Sequence, residues 1–262
     1  MKKYLKIYAI LIKNAVSREA QFRADSIMNW ITHLLFLGFL FVLFDILFKF
    51  TKVIDGWSKP EVFLLVVIFT LSAHIFQFFF RDNMSEIPDI ITDGKLDIYL
   101  ISPINTVFLI ISRQVATKAV LRIITQSILL AWLLSTYDFG FTLTSSLGLI
   151  VLMIAGLAIQ TAFYLIINTL SFWFLRIDNI NEAWFNLSQL GRYPLSVLPQ
   201  AFTILTLSLF PIAYQSYVPL GFGLGKLDWR FFVGTLCLAI VIWIIALKFW
   251  KLGLKKYESA SS

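Results

Sequence analysis

Apolar residues fall along this chain in blocks of about twenty, separated by short polar stretches. A block of that length crosses the roughly 30 Å of bilayer hydrocarbon as a helix. Irregular backbone in lipid would leave amide groups unpaired, so the blocks predict membrane helices. They fall at about residues 27–48, 61–80, 121–134, 147–174, 194–218 and 231–250. The apolar–polar alternation of a membrane β-barrel is absent. The fold class that follows is an all-α integral membrane protein with six transmembrane helices. No soluble domain or internal repeat separates from the rest, so residues 1–262 read as a single transmembrane domain.

The fifth block carries Pro194, Pro199, Pro211 and then Pro219. That is too much proline for one straight helix, and a span followed by a bent or re-entrant outer segment fits better. In the fourth block Gly148, Ala155 and Gly156 are candidates for close helix packing. Residues 1–23 are basic. On a helical wheel Tyr4, Leu5, Tyr8, Leu11, Ile12, Ala15 and Val16 gather opposite Lys2, Lys3, Lys6 and Lys13. This predicts an N-terminal amphipathic helix lying on anionic membrane lipids.

Between the second and third blocks, residues 81–103 form the longest polar run in the middle of the chain. This run predicts a cytosolic elbow holding a short amphipathic helix, with a solvated loop whose apolar residues dip into the lipid headgroups as the alternative. Ile87, Ile90, Ile91 and Ile98 form one face, and Asp89, Asp93 and Asp97 another. Over 86–100, the residues fitted to meet a soluble partner are Glu86, Ile87, Ile90, Ile91, Asp93, Gly94, Lys95 and Asp97. The isoleucines would bury in a groove, the charges would meet its rim, and Gly94 would permit a sharp turn.

Charge fixes the expected orientation. With the N-terminus inside and six spans, all but five of the 22 Lys and Arg residues lie on the cytosolic side. The five are Lys49, Lys52, Lys59, Lys226 and Arg230. That bias predicts both termini inside. The composition agrees: 14% charged residues against the roughly 25% of soluble domains. The net charge of +7 sits at block ends, which points to lipid and topology rather than to nucleic acid. One cysteine and two scattered histidines give no disulfide framework and no metal-ligand pattern.

Catalytic chemistry is poorly represented. The chain contains no GxxxxGK[ST] phosphate loop. The nearest string, Gly221 to Lys226, has the wrong spacing and falls on the expected outer side. His33 and His74 lie in different spans with no serine–acid pattern beside them. Polar residues within spans are functional candidates by default. His74, Gln77, Gln160 and Asn168 are therefore the candidates to line a translocation path, with interhelical hydrogen bonding as the alternative.

The order of these features resembles the ABC-2 type permeases, the membrane subunits of one class of ABC exporter. The likeness is to a bacterial branch of permeases of about this length. It rests on Asp93-Gly94-Lys95-Leu96-Asp97 followed by Tyr99, Leu100 and Pro103. It rests also on Tyr193-Pro194, on Phe210-Pro211-Ile212-Ala213, and on Tyr217-Val218-Pro219. The resemblance implies a non-catalytic subunit in a bacterial inner membrane, paired with a second permease chain, identical or related. A separate ABC ATPase would bind ATP and magnesium, and no cofactor is implied on this chain. In such exporters a coupling helix between spans two and three seats in the ATPase, which here would be 86–100.

The residues alone leave other readings open. One is a stand-alone secondary transporter driven by an ion gradient through His74 or Asp45. Others are a lipid enzyme, which would need a polar cluster at one membrane face, and a membrane protein with no transport role.

Overall fold

The computed structural model describes residues 23–54, 56–174, 177–208 and 210–257. The interfacial helix expected over residues 1–23 lies, but for Arg23, outside them. Helix α1 (Arg23–Phe50) leads into a small antiparallel hairpin, β1 (Val53–Ile54) with β2 (Trp57–Ser58). Helix α2 (Lys59–Phe76) starts where the Ser58 amide donates to the Glu61 carboxylate at 2.6 Å, with Pro60 in its first turn. Val62, Leu64, Leu65, Val66 and Val67 are each fully buried, so α2 is the central post of the bundle.

Below α2 a π-helical turn (Gln77–Arg81) leads into four short helices: α3 (Asp82–Ser85), α4 (Ile87–Thr92), α5 (Leu96–Leu100) and α6 (Thr106–Ile111). Helix α7 (Val120–Thr136) climbs back against α2, and α8 (Leu143–Thr169) descends. The last long helix, α12 (Trp229–Lys256), lies along α8.

Among the described residues, five stretches are long and apolar enough to cross a membrane: Ser26–Phe50, Lys59–Thr92, Thr117–Thr136, Leu143–Phe172 and Trp229–Lys256. The fifth apolar block forms no such helix. Helix α9 (Asp178–Ser188) and a 3₁₀ turn (Gln189–Arg192) precede it, and the block itself is divided among two further 3₁₀ turns, α10 (Gln200–Leu207) and the start of α11 (Tyr217–Gly223). Pro194 and Pro199 cap two of these pieces from outside, because a ring without an amide hydrogen cannot continue a helical ladder.

Contacts trace how this broken segment runs. At the hairpin end of the bundle, Leu195 and Leu198 pack with Val218 and Leu227. At mid-depth, Phe210 meets Phe163 and Trp184, so the chain dips back into the bundle after α10. It then rises again through α11 to Lys226, whose ammonium donates to the Gly56 carbonyl and to Glu61, each at 2.8 Å.

Two hydroxyls hold the dip in place. Ser72 donates to the Gln215 carbonyl at 3.1 Å, and Ser216 to the Gly191 carbonyl at 2.6 Å. Close approach does the rest. A Cβ on Gly148 would strike the Phe222 ring, and one on Gly156 would strike the Tyr214 carbonyl. Ala155 and Ala239 let α8 and α12 approach closely, and Ile159 packs with them in the same buried cluster.

Backbone cannot yield as a flexible side chain can. Gly156→Leu is therefore expected to cost about 3 kcal/mol or more by overpacking. It should appear as a lowered thermal midpoint of the detergent-purified chain, whereas Gly234→Leu, where a Cβ meets open space, leaves the midpoint unchanged.

Candidate functional site

Two features converge at the end of the bundle opposite the β-hairpin: the elbow after α2, and a cavity above it. The elbow is not one helix. Its ladder stops at Asp93, and Gly94 takes a φ of 70°, a conformation that L side chains rarely adopt. The chain then restarts as α5.

The apolar face of α4 is turned inward. Ile87 and Ile90 are 1% and 4% exposed and pack in a cluster with Met84, Leu96, Tyr164 and Leu165. This corrects the expectation that these isoleucines are offered to a partner's groove. Four anchors hold the elbow from within. The buried Asn83 side chain donates to the carbonyls of Phe79 (3.2 Å), Ile111 (3.0 Å) and Gln114 (2.7 Å), and its oxygen accepts from the Gln114 amide at 3.1 Å. Glu86 pairs with Arg113 and accepts from the Gln114 side chain at 2.9 Å. The Ala116 amide donates to the Phe78 carbonyl at 2.9 Å. Asp97 sits beside Tyr257, and burial, then that carboxylate, push the tyrosine hydroxyl above its usual pKa.

What remains outward is a different edge. Ile98, Leu100 and Ile101 are 67%, 41% and 83% exposed. Asp89 is exposed nearby, and Asp93 and Lys95 make a surface ion pair at 2.7 Å. That pair holds the Lys95 ammonium above its usual pKa.

The cavity has a volume of about 520 Å³ and is walled by α1, α2, α7, α8 and α9 with the turn that follows it. Its walls mix aromatic rings with polar groups. The His33 and His74 rings meet edge to face at 4.5 Å, and the Gln126 amide lies 3.0 Å from His33 Nε2. Among the described residues, His74 Nε2, Arg122 Nε, Gln160 Oε1 and Asn181 Oδ1 are buried and have no hydrogen-bond partner. Three guanidiniums reach the cavity, those of Arg81, Arg122 and Arg192.

A family model described as ABC-2 family transporter protein matches residues 34–261. The chain belongs to the ABC-2 family of transporters. No curated protein and no solved structure matches it significantly. This ABC-2 chain is thus a multi-pass membrane permease of an ABC transporter, a membrane subunit whose family implies association with an ABC ATPase subunit.

In this permease the polar residues singled out from sequence do not all meet. His74, Gln77 and Gln160 line the cavity. Asn168 does not: its amide donates to the Tyr164 carbonyl at 2.9 Å and its oxygen accepts from Asn181, which makes it a bracket between α8 and α9. Of the elbow residues, Glu86, Ile87 and Ile90 are engaged with the chain itself, while Asp93 and Lys95 face outward.

Sequence reading missed Asn83, Arg122 and Arg192 as site residues. In the sequence Arg122 interrupts an apolar run and Arg192 falls in the polar stretch between the fourth and fifth apolar blocks. In the structure Arg192 is 7% exposed and lies near the Phe36 and Phe69 rings, 4.8 and 6.0 Å from their centroids.

Proposed function

We propose that this permease is the membrane subunit of an ATP-driven exporter in a bacterial inner membrane. It works as a dimer with a second permease chain, identical or related, with both termini inside. A separate ATPase binds ATP and magnesium and drives the cycle through the elbow. The observation that carries this reading is the elbow's division of labour within an ABC-2 chain. One face is locked into the bundle, and the opposite edge, Ile98 to Ile101, is apolar and exposed. An element of that kind transmits displacement, because its inner face cannot move without moving α3 and α8.

The coupling surface on this reading is Asp89, Asp93, Lys95, Ile98, Leu100 and Ile101, with Gly94 setting the turn. The cavity lined by His74, Gln77 and Gln160 is the chain's share of the translocation path.

The test is purification of the tagged chain from native membranes in mild detergent, with mass spectrometry of what accompanies it. An ATPase subunit is expected in proportion to the permease. A chain that purifies alone and moves solute under a pH or sodium gradient overturns the reading. One variant checks the turn: Gly94→Ala strains the φ of 70° but keeps the amide that donates to the Ile91 carbonyl, and should leave the chain folded while lowering the co-purifying ATPase several-fold.

A further inference from the structure

Buried charge in a membrane protein is normally paired, and this cavity breaks that pattern. Its lining, among the described residues, holds the three guanidiniums of Arg81, Arg122 and Arg192 and not one carboxylate. Among the described residues, no ion pair involves any of the three. Asp82 is the carboxylate that acts on Arg81 and Arg122. It opens not into this cavity but into a neighbouring one at the elbow end, together with Asp178 and Glu182. Arg81 lines both cavities and faces the three carboxylates of the second, so the positive charge on the wall of the first rests on Arg192 and on Arg122, which has Asp82 near it.

The guanidiniums are positioned by other means. Arg81 lies 4.3 Å from the Phe185 ring centroid. Arg192 lies over Phe36 and Phe69, and its Nε donates to the Gln189 carbonyl at 2.9 Å. Ring faces and carbonyls orient a guanidinium without neutralising it. The group is left able to take a bidentate anion in a site of low dielectric. Gln160 adds an independent mark of a ligand: it is 4% exposed, and its Oε1, on the cavity wall, has no partner. An uncommitted carbonyl of that kind accepts from a protonated acid or a hydroxyl of the headgroup.

The rest of the lining is apolar and aromatic, with Phe69, Phe76 and Trp184 inside. At the side of the bundle Phe36 and Phe185, from α1 and α9, are 41% and 40% exposed. A hydrocarbon chain therefore has a sideways exit between α1 and α9, while a headgroup stays within. We infer that this cavity binds an anionic amphiphile, its phosphate or carboxylate held by Arg122 and Arg192 and its tail leaving between α1 and α9. The inference deepens the exporter reading, since it names the substrate class of that path, but binding itself needs no ATPase.

The experiment is native mass spectrometry of the full chain released from dodecyl maltoside, titrated with dodecyl phosphate. One saturable adduct per chain is expected. It should fall at least tenfold in Arg122→Gln and in Arg192→Gln, and persist in Arg230→Gln, a basic position on the hairpin side. Arg192→Lys keeps the charge but not the bidentate fork, so its adduct should be weaker than wild type and stronger than that of Arg192→Gln, and Arg122→Gln carries the test if Arg192→Gln does not fold.

Competition separates two sources of the anion. Displacement by phosphatidylglycerol identifies a membrane lipid as the ligand. No displacement identifies a single-tailed acid. Equal adducts with dodecyltrimethylammonium, or an adduct untouched by Arg122→Gln, overturn the proposal. Loss of the co-purifying ATPase result alone would sink the exporter reading and leave this one standing.

Discussion

An Ile98→Glu, Ile101→Glu chain is expected to reach the membrane at the wild-type level and to lose its ATPase subunit at least tenfold in the same pull-down. Both side chains are largely exposed and touch no buried cluster, so their replacement removes no core packing. On the coupling reading they are the apolar anchors of a helix-in-groove contact. Two carboxylates driven into such a groove would lose hydration without gaining partners. The matched control is Ile87→Ala. Ile87 is buried in the bundle, so it should lower the thermal midpoint while the ATPase still co-purifies in proportion to folded permease. An ATPase retained by the double variant would move the coupling surface away from α5.

The second large effect is expected at Asn83. Asn83→Leu removes donors from three carbonyls and an acceptor from one amide, all at the junction of α3 with the chain after α6. Leucine has the same branching and number of side-chain heavy atoms but bulkier methyls, so it fills the site while the polar groups are left unpaired. A loss of about 3 kcal/mol follows from the usual cost of such orphaned groups. It should appear as a lower unfolding midpoint in detergent. Hydrogen exchange should rise first at Asn83, Gln114 and the Ala116 amide, which is tied to the Phe78 carbonyl next to this junction. Exchange spread evenly over the bundle would mean that Asn83 is not the local clamp.

These two positions show how legible the elbow was. Its existence followed from composition, because seven charged residues between two apolar blocks cannot sit in lipid. Which of its faces is hidden did not follow. Ile87, Ile90, Ile91 and Ile98 share a stripe if the helix is continuous, and Gly94 breaks it. Once α5 restarts after a positive φ, Ile98 points away from Ile87. The proline-broken block behaved similarly. Four prolines excluded a straight helix, but the dip after α10 depends on Gly156 meeting the Tyr214 carbonyl and on Ser72 and Ser216 meeting backbone from distant segments.

The sequence by itself determined that this is an all-helical membrane chain. Its apolar run lengths and the need to satisfy every backbone amide in lipid leave no other solution. It also determined the place of the polar elbow and of the helix breaks, because charge and proline act locally. The cavity was decided by tertiary structure alone. Arg81, Arg122 and Arg192 belong to three separate segments, each ordinary in its local run, and what makes them a site is that α1, α2, α7, α8 and α9 close around them with no carboxylate on the wall among the described residues. Helical periodicity gives the angle between residues on one helix. It does not give which neighbour that angle will face, and binding chemistry is made between neighbours.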